Sequence, residues 1–209
     1  NETFDLAYKF TAGKTFHTKV LHHVVVETTI KGATQKAYTR SNSTKTWKIL
    51  KVAENGNITF VHSVDHVDMW QSVTGRQEVK YNSLTDEKPP PGYELVAAAV
   101  NVPLATVTMD RHGRVIERKD THTQFNPGIG ELTIPLPQQK VKVGTKWSVP
   151  DTVKLKQDNG QIKKIETLQV YKLEKVETGV ATISLETQVI TPLNDPKLRS
   201  ELVQRLQRG

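Results

Sequence analysis

The sequence predicts a mainly β protein of the α+β type: a curved antiparallel sheet or half-barrel built from hairpins, with one short internal helix and one C-terminal helix. Three observations lead to this prediction. β-branched residues, which favour strands, recur along the whole chain. Turn signals that contain glycine separate runs of β-rich sequence, as in antiparallel hairpins. Only two segments have the composition and spacing of helices.

The first predicted element is a long strand in the run KTFHTKVLHHVVVETTIKG, which ends at Gly32. Alternate residues of a strand share a face, and the even-numbered positions of this run form a largely apolar set. That set is Phe16, Val20, Val24, Val26 and Ile30. A polar, threonine-rich strand is predicted to follow, up to Trp47.

Four turn signals predict hairpins between the later strands. Asn55 and Gly56 lie between two β-rich runs, and Asn-Gly favours the left-handed dihedral angles of a two-residue turn. The other signals are at residues 111–113, 159–160 and 178–179. Strands joined by short turns are antiparallel neighbours, so the chain is expected to form a meander.

Two segments are predicted to be helices. GYELVAAAVNVPL is short and alanine-rich, and it follows the stiff loop KPPPG. In NDPKLRSELVQRLQRG, Asp195 suits the cap and Pro196 suits the first helical position. Leu198, Leu202 and Leu206 are spaced by four, as on one face of a helix. Because the chain stops right after this segment, we expect it to be truncated.

Residues 1–209 are predicted to form a single β-rich domain. A chain of this length can build one sizeable core or two small ones. The connection at residues 126–139 contains proline and glycine. It is interpreted as an internal loop that would separate an N-terminal meander from C-terminal hairpins.

The composition excludes several kinds of site. The chain has no cysteine, which excludes disulfides, iron–sulfur clusters and thiolate zinc sites. It has no G-x-S-x-G nucleophile elbow, and NPGIGE lacks the lysine and following helix of a phosphate-binding loop. No apolar run approaches the ~20 residues that span a bilayer. The sequence therefore identifies no catalytic residue, no cofactor and no transmembrane segment, and it favours a protein without enzymatic activity over an enzyme.

The net charge of +7 raises the question of an anionic partner. The densest lysines lie at residues 138–175, where they alternate with apolar residues, so strands would place them on one face. This candidate basic face consists of Lys140, Lys142, Lys154 and Lys156. A solvated face is the favoured interpretation. No aromatic residues are interleaved as stacking platforms, so nucleic acid is not predicted as a partner.

The stretch VHSVDHVDMW is the strongest candidate for metal binding. On a helix, His62 and His66 would lie one turn apart, a good spacing for metal ligands. The stretch follows the Asn-Gly turn and is predicted to be a strand, in which four residues span about 13 Å. The apolar phase slips between Val64 and Val67, which predicts a β-bulge near Asp65 and His66. The bulge would put the two histidines on opposite faces, so no metal site is predicted.

The other histidines form no cluster in the sequence. His22 and His23 are adjacent in a strand, so they are expected to point to opposite faces. His17, His112 and His122 stand alone.

The order of these pieces resembles a family of uncharacterised exported proteins, a domain of unknown function found especially in planctomycete-type bacteria. The most specific part of the resemblance is LPQQKVKVGTKW, which is similar to an "lP…pVkvGdsW" segment of that family. Its residues are Pro137, Val141, Val143, Gly144 and Trp147. The resemblance implies export to the periplasm or cell surface, and no activity. Physically, Gly144 permits a tight turn, Trp147 starts the next strand, and the alternating valines are expected to bury one face.

Three functions are consistent with the sequence. The first is a non-catalytic binding module of the cell envelope that holds an apolar or amphipathic, lipid-like ligand or a protein partner. The second is a structural or surface-assembly subunit that uses sheet edges. The third, less favoured, is a metal-dependent enzyme built on His62 and His66.

Overall fold

The computed structural model describes residues 2–30, 33–121, 133–156, 162–190 and 200–206. Within these ranges the chain forms ten strands and one short helix. The strands are β1 (Thr15–Ile30), β2 (Ala33–Val52), β3 (Ile58–Val73), β4 (Val79–Asn82), β5 (Pro103–Met109), β6 (Val115–Asp120), β7 (Lys146–Lys156), β8 (Ile162–Glu177), β9 (Val180–Val189) and β10 (Ser200–Leu206), and the helix is α1 (Glu94–Ala98). The predicted mainly β class is confirmed.

The strands form two antiparallel sheets. The larger sheet has seven strands in the order β10-β1-β2-β3-β5-β6, and β4 also pairs with β3. The smaller sheet has three strands in the order β7-β8-β9. Strands β1, β2 and β3 are consecutive neighbours in the larger sheet, and β7, β8 and β9 are consecutive neighbours in the smaller one, as the predicted meander requires. The larger sheet departs from a simple meander because β5 pairs with β3 and β10 returns to β1. In the part of the chain that the structure describes, the larger sheet is open and ends at β10 and β6.

Three of the four predicted hairpin turns lie where the sequence placed them. Gly56, between β2 and β3, has a φ of 83°. At the β8–β9 turn, Thr178 and Gly179 have φ values of 49° and 79°, as a two-residue type I′ turn requires. The Asp110 carboxylate caps the β5–β6 turn by accepting backbone N–H groups. The turn at 159–160 lies outside the described residues, but the strands on either side of it pair as predicted.

The predicted β-bulge in β3 is present. Thr44 pairs with His66 and the next residue, Lys45, pairs with Val64, so Asp65 is the extra residue. Val64 and Val67 are both buried, as expected for a strand that changes phase there. The bulge also divides β3, because β5 pairs with its first half and β4 with its second half.

The two predicted helices have different outcomes. The internal one is confirmed as the short helix α1. The C-terminal one is wrong, because Ser200–Leu206 forms strand β10 and pairs antiparallel with β1 between His22 and Thr28. A leucine spacing of four fits a strand as well as a helix, since residues i, i+2 and i+4 of a strand share a face. Pairing with the otherwise open edge of β1 outweighs the local preference for helix.

The inner face of the larger sheet, defined here as the face that carries Trp47, holds two apolar clusters. The first cluster contains Trp47, Ile49, Ile58, Phe60, Ala105, Val107 and Met109, with Tyr8 and Phe10 packed against it. The second cluster contains Val64, Val67, Met69, Tyr81, Tyr93 and Val96, so helix α1 contributes to it. Of the predicted apolar set of β1, Phe16 is 36% exposed and Val20 and Val24 are half-buried. The side chains of Val26 and Ile30 lie outside what the structure describes.

One segment, residues 133–147, contacts both sheets. The backbone N–H of Leu136 donates to the carbonyl oxygen of His112 in the β5–β6 turn (2.7 Å). The indole N–H of Trp147 on β7 donates to the Pro135 carbonyl oxygen (2.7 Å) and its ring stacks on Tyr171 of β8. Of the connection predicted at 126–139, residues 126–132 lie outside the described residues.

Candidate functional site

A row of polar side chains is buried on the inner face of the larger sheet. This polar strip consists of His22, Ser41, Ser43, Lys45 and His62. None of the five is more than 6% exposed. Complete burial is unusual for lysine, which proteins keep in contact with water unless it has a specific role or partner. The strip is therefore the most distinctive chemical feature of this face.

The strip follows from the alternation of β2. Trp47 and Ile49 anchor the inner face, and every second residue back to Ser41 must then face the same way. Directly paired residues of neighbouring strands also share a face. His22 on β1 pairs with Ser41, and His62 on β3 pairs with Trp47, so the strip extends over three strands.

Apolar residues border the strip on β3. Lys45 pairs with Val64 and Ser43 pairs with Val67, and both valines belong to the second cluster. At the other end, the Trp47 ring stacks on Phe60 with centroids 4.4 Å apart, inside the first cluster. The inner face is therefore amphipathic, with buried polar groups set between two apolar areas.

Lys45 carries the charge of the strip at neutral pH. Burial lowers the pKa of Lys45 to about 8, which still leaves the ammonium group mostly protonated at pH 7. Burial, and then the charge of Lys45, lower the pKa of His62 to about 4. Burial also lowers the pKa of His22, with further contributions from Lys45 and His23. The two imidazoles are therefore neutral beside one buried cation.

Four buried polar atoms on or beside the strip have no hydrogen-bond partner among the described residues. They are Ser41 Oγ, Ser43 Oγ, Trp47 Nε1 and His62 Nδ1. An unpaired buried group costs about 1–3 kcal/mol, and native proteins keep few of them. Their concentration along adjacent inward positions is what a site built to receive a polar group would show.

The same atoms argue against a preformed serine nucleophile. Activation by a neighbouring lysine requires a hydrogen bond between the serine hydroxyl and the amine. Ser43 is the serine next to Lys45 on the inner face, and its Oγ has no partner among the described residues. The described residues therefore contain no preformed hydrogen bond between Ser43 and Lys45.

His62 and His66 do not share a site. His62 lies on the inner face, whereas His66 pairs with Thr44 on the other side of the bulge and faces outward. The described residues contain no group of three or more His, Cys, Asp or Glu side chains that could hold a metal ion. His22 and His23 also separate as predicted, since His22 is buried and His23 is exposed.

His17 is not isolated, contrary to the sequence prediction. On the outer face its Nδ1 lies 3.2 Å from Asp65 Oδ2 and 2.8 Å from Thr46 Oγ1. The Thr46 hydroxyl also donates to the Asp65 carboxylate. The bulge brings Asp65 into reach of β1 and β2, which the strand pattern alone does not reveal. His112 Nε2 is buried without a partner in the described part of the chain, and His122 lies outside it.

The candidate basic face is not a single strand face. Lys140 and Lys142 are exposed, but they lie in a loop on either side of the isolated bridge between Val141 and Phe4. Lys154 and Lys156 do occupy alternate positions of β7, although their side chains lie outside what the structure describes.

The segment that carries the family resemblance has a structural role, with one correction. Val141 is buried, but Val143 is 53% exposed, so the two valines do not bury one face. The reason is a turn rather than a strand: the Thr145 N–H donates to the Lys142 carbonyl oxygen and Gly144 has a φ of 89°. Trp147 lies at the start of β7, and Pro137 precedes the turn, partly buried.

The polar strip was missed by sequence reasoning. The sequence predicts only that Ser41, Ser43 and Lys45 belong to a polar, threonine-rich strand. A usable signal was present, because Lys45 is in phase with Trp47 and Ile49, which are typical core residues. What the pattern does not show is that this face stays buried beyond Trp47.

Comparisons of the chain with models of protein families, with curated proteins and with solved structures find no match. Within the described ranges, no helix has both the length and the apolar character needed to cross a membrane.

Proposed function

We propose that this chain is a non-catalytic binding module for an amphipathic ligand, held on the inner face of the larger sheet. The observation that carries the proposal is the set of polar atoms along the polar strip that have no partner among the described residues, next to the valines of the second cluster. A polar head group would satisfy those atoms, and an apolar tail would replace the contacts of the cluster.

Two energetic contributions favour such a ligand. Pairing a buried hydroxyl removes a cost of about 1–3 kcal/mol. Burying an apolar chain contributes about 25 cal/mol per Å² of area removed from water. Neither a purely polar nor a purely apolar ligand would obtain both contributions at Ser43 and Val67, which lie directly opposite each other.

Binding requires the inner face to open. Because the strip residues are at most 6% exposed, a ligand reaches them only when the groups that cover the strip move apart. The open form is then a minor state, and the apparent affinity is reduced by the fraction of molecules in that state. We expect slow association, at a rate that levels off at high ligand concentration.

Native mass spectrometry of the gently purified protein tests the proposal. The wild-type chain is expected to show a population with extra mass that organic solvent extracts. Ser43→Leu fills the strip with a side chain and is expected to remove that population. Asn42→Leu, an exposed position on the other face of β2, is the matched control and should keep it.

Only an apo mass for the wild-type chain, together with no uptake of the neutral apolar dye Nile red, would contradict the proposal. Equal loss of the extra mass in both variants would also count against it, since binding would then not depend on the inner face.

A structural or assembly role is the second candidate, and one observation favours it. Strand β6 is at the end of the larger sheet in the described order, and Val115 and Ile116 on it are 42% and 55% exposed. An exposed apolar edge strand pairs readily with another chain. Light scattering at high concentration should then show oligomers that Ile116→Lys dissolves and Val143→Lys, in a turn, does not.

We also propose export to the periplasm or cell surface, supported by the resemblance carried by Pro137, Val141, Gly144 and Trp147. Fractionation of the cells that produce the protein tests this. Recovery in the cytosolic fraction alone would contradict it.

A further inference from the structure

We propose that the head group of the ligand is an oxyanion, a carboxylate or a phosphate, and that it binds between Ser43 and Lys45. This inference rests on the amphipathic-ligand function proposed above and adds the chemical class of the head group. It follows from the kind of polar atom that the inner face presents, from their spacing and from the sign of the charge.

The polar atoms around this position are mainly hydrogen-bond donors. The Lys45 ammonium group and the Trp47 indole N–H can only donate, and the hydroxyls of Ser41 and Ser43 donate whenever an acceptor faces them. Only His62 Nδ1 can take either role, depending on its tautomer. The group that complements this surface is therefore rich in acceptors and needs no donor of its own.

The spacing suits a compact head group. Ser43 and Lys45 are alternate residues of β2, so their Cα atoms are separated by about 7 Å and both side chains face inward. The flexible four-carbon chain of Lys45 can bring its ammonium group beside the hydroxyl of Ser43. A carboxylate or phosphate spans that gap and accepts from both side chains at once.

The direction of the tail follows from the register. Val67 pairs with Ser43 and Val64 pairs with Lys45, so the β3 side of the head group is apolar. An alkyl chain that leaves the head group in this direction enters the second cluster, towards Met69 and Tyr81.

The charge of the strip has the matching sign. Lys45 is a buried cation, and both neighbouring imidazoles are neutral at pH 7, since burial lowers the pKa of His62 to about 4 and also lowers the pKa of His22. Lys45 also has further interactions within the folded chain. An anion beside Lys45 would offset the cost of burying its charge and would form charge-assisted hydrogen bonds.

Calorimetric titration of the full chain at pH 7 with four probes of equal chain length tests the head group. The probes are dodecanoate, dodecyl phosphate, dodecanol and dodecyltrimethylammonium, and inorganic phosphate alone is the fifth. We expect the two anionic amphiphiles to bind at least about tenfold more tightly than the alcohol or the cation, as charge-assisted hydrogen bonds imply.

Three variants assign the preference to the strip. Lys45→Met should abolish the tenfold preference while the alcohol still binds. The variant should fold, because methionine keeps most of the length of the side chain and removes the cost of burying a charge. Lys48→Met removes an exposed lysine from the other face of β2 and should leave every affinity unchanged. Ser43→Ala is a milder second test, with an expected three- to tenfold loss for the anionic amphiphiles.

The outcomes separate the two proposals. The head-group inference is wrong if all four amphiphiles bind equally, or if Lys45→Met keeps the anion preference. The proposed binding function is retained in that case, and ordered water would pair the serine hydroxyls. If inorganic phosphate binds as tightly as dodecyl phosphate, the anion site is supported and the proposal of an amphipathic ligand is wrong. If no probe binds, both proposals fail.

Discussion

At the scale of single residues, the polar strip destabilises the folded state. Lys45 is buried, and its lowered pKa shows that the charged form is disfavoured by its surroundings. Ser41 and Ser43 add hydroxyls without partners in the described structure. Proteins keep such destabilising groups where they are used, and they balance them with stability gained elsewhere. Lys45 differs in this respect from the exposed lysines, because their charges remain in contact with water.

His62 makes stability depend on pH. Its pKa is about 4 in the folded chain and 6.5 as the ordinary value, so the unfolded chain binds more protons between these values. The contribution of neutral His62 is complete above pH 6.5 and is lost as the pH falls towards 4. The loss amounts to about 3 kcal/mol at most, at 1.36 kcal/mol for each pKa unit.

Urea unfolding at several pH values measures this dependence. His62→Gln should lose less stability than wild type between pH 6.5 and 4, whereas His23→Gln, at an exposed position, should follow the wild-type curve. Parallel curves for wild type and His62→Gln would show that His62 does not titrate with a lowered pKa.

At the scale of elements, one extra residue determines which side chains of β3 face inward. Asp65 changes the phase of the strand, so Phe60 and Val64 before it and Val67 and Met69 after it all reach the inner face. The sequence pattern was sufficient to predict this bulge, because one extra residue accounts for a slip in apolar alternation within a continuous strand. It was not sufficient to predict the contacts of Asp65 with His17 and Thr46, which depend on how three strands align.

Deletion of Asp65 is expected to destabilise the fold by about 3 kcal/mol or more, because Val67 and Met69 would turn to the outer face. Asp65→Ala keeps the extra residue and loses only the contacts with His17 and Thr46, so we expect about 1 kcal/mol. Chemical denaturation distinguishes the two. Similar losses for the deletion and the substitution would mean that the bulge does not set the register.

The β5–β6 turn requires glycine at residue 113. A Cβ atom there would lie 2.6 Å from the Ile134 carbonyl oxygen and 2.8 Å from Tyr8 Cε2, and φ is 82°. Gly75 has a similar φ of 78° with nothing within 4 Å of a Cβ atom. Gly75→Ala is therefore expected to cost about 1–2 kcal/mol through backbone strain alone.

Gly113→Ala is expected to cost about 2 kcal/mol more than that control, because residues 133–136 would have to move away from the turn. The difference between the two melting temperatures measures this close approach. Equal losses would show that backbone strain accounts for the whole effect.

At the scale of the whole molecule, residues 133–147 link the two sheets. Thr133 and Leu136 bind the β5–β6 turn of the larger sheet through hydrogen bonds, and Trp147 belongs to the smaller sheet. The indole hydrogen bond to Pro135 connects these contacts. The predicted loop between meander and hairpins therefore contains a structured part that touches both sheets.

Trp147→Phe tests this link. It keeps an aromatic ring against Tyr171 but removes the hydrogen bond to the Pro135 carbonyl oxygen, so we expect a loss of about 1 kcal/mol. Amide hydrogen exchange at Leu136 should become faster. Trp70→Phe removes an indole hydrogen bond to Glu78 elsewhere and is the matched control. Unchanged exchange at Leu136 in both variants would mean that Trp147 does not hold the segment.

The amino-acid sequence by itself determined the β class, the turns at Gly56, Gly113 and Gly179, the helix α1 and the bulge at Asp65. Each of these depends on local alternation or on the dihedral freedom of a few residues, which a sequence displays directly.

Only the tertiary structure decided the rest. It made a strand of Ser200–Leu206 and buried Lys45 beside two serine hydroxyls that have no partner among the described residues. The physical reason is that pairing at a strand edge and burial of a sheet face depend on residues distant in the chain. Alternation in the sequence indicates which residues share a face of the sheet. Packing against residues distant in the chain determines which of the two faces is buried.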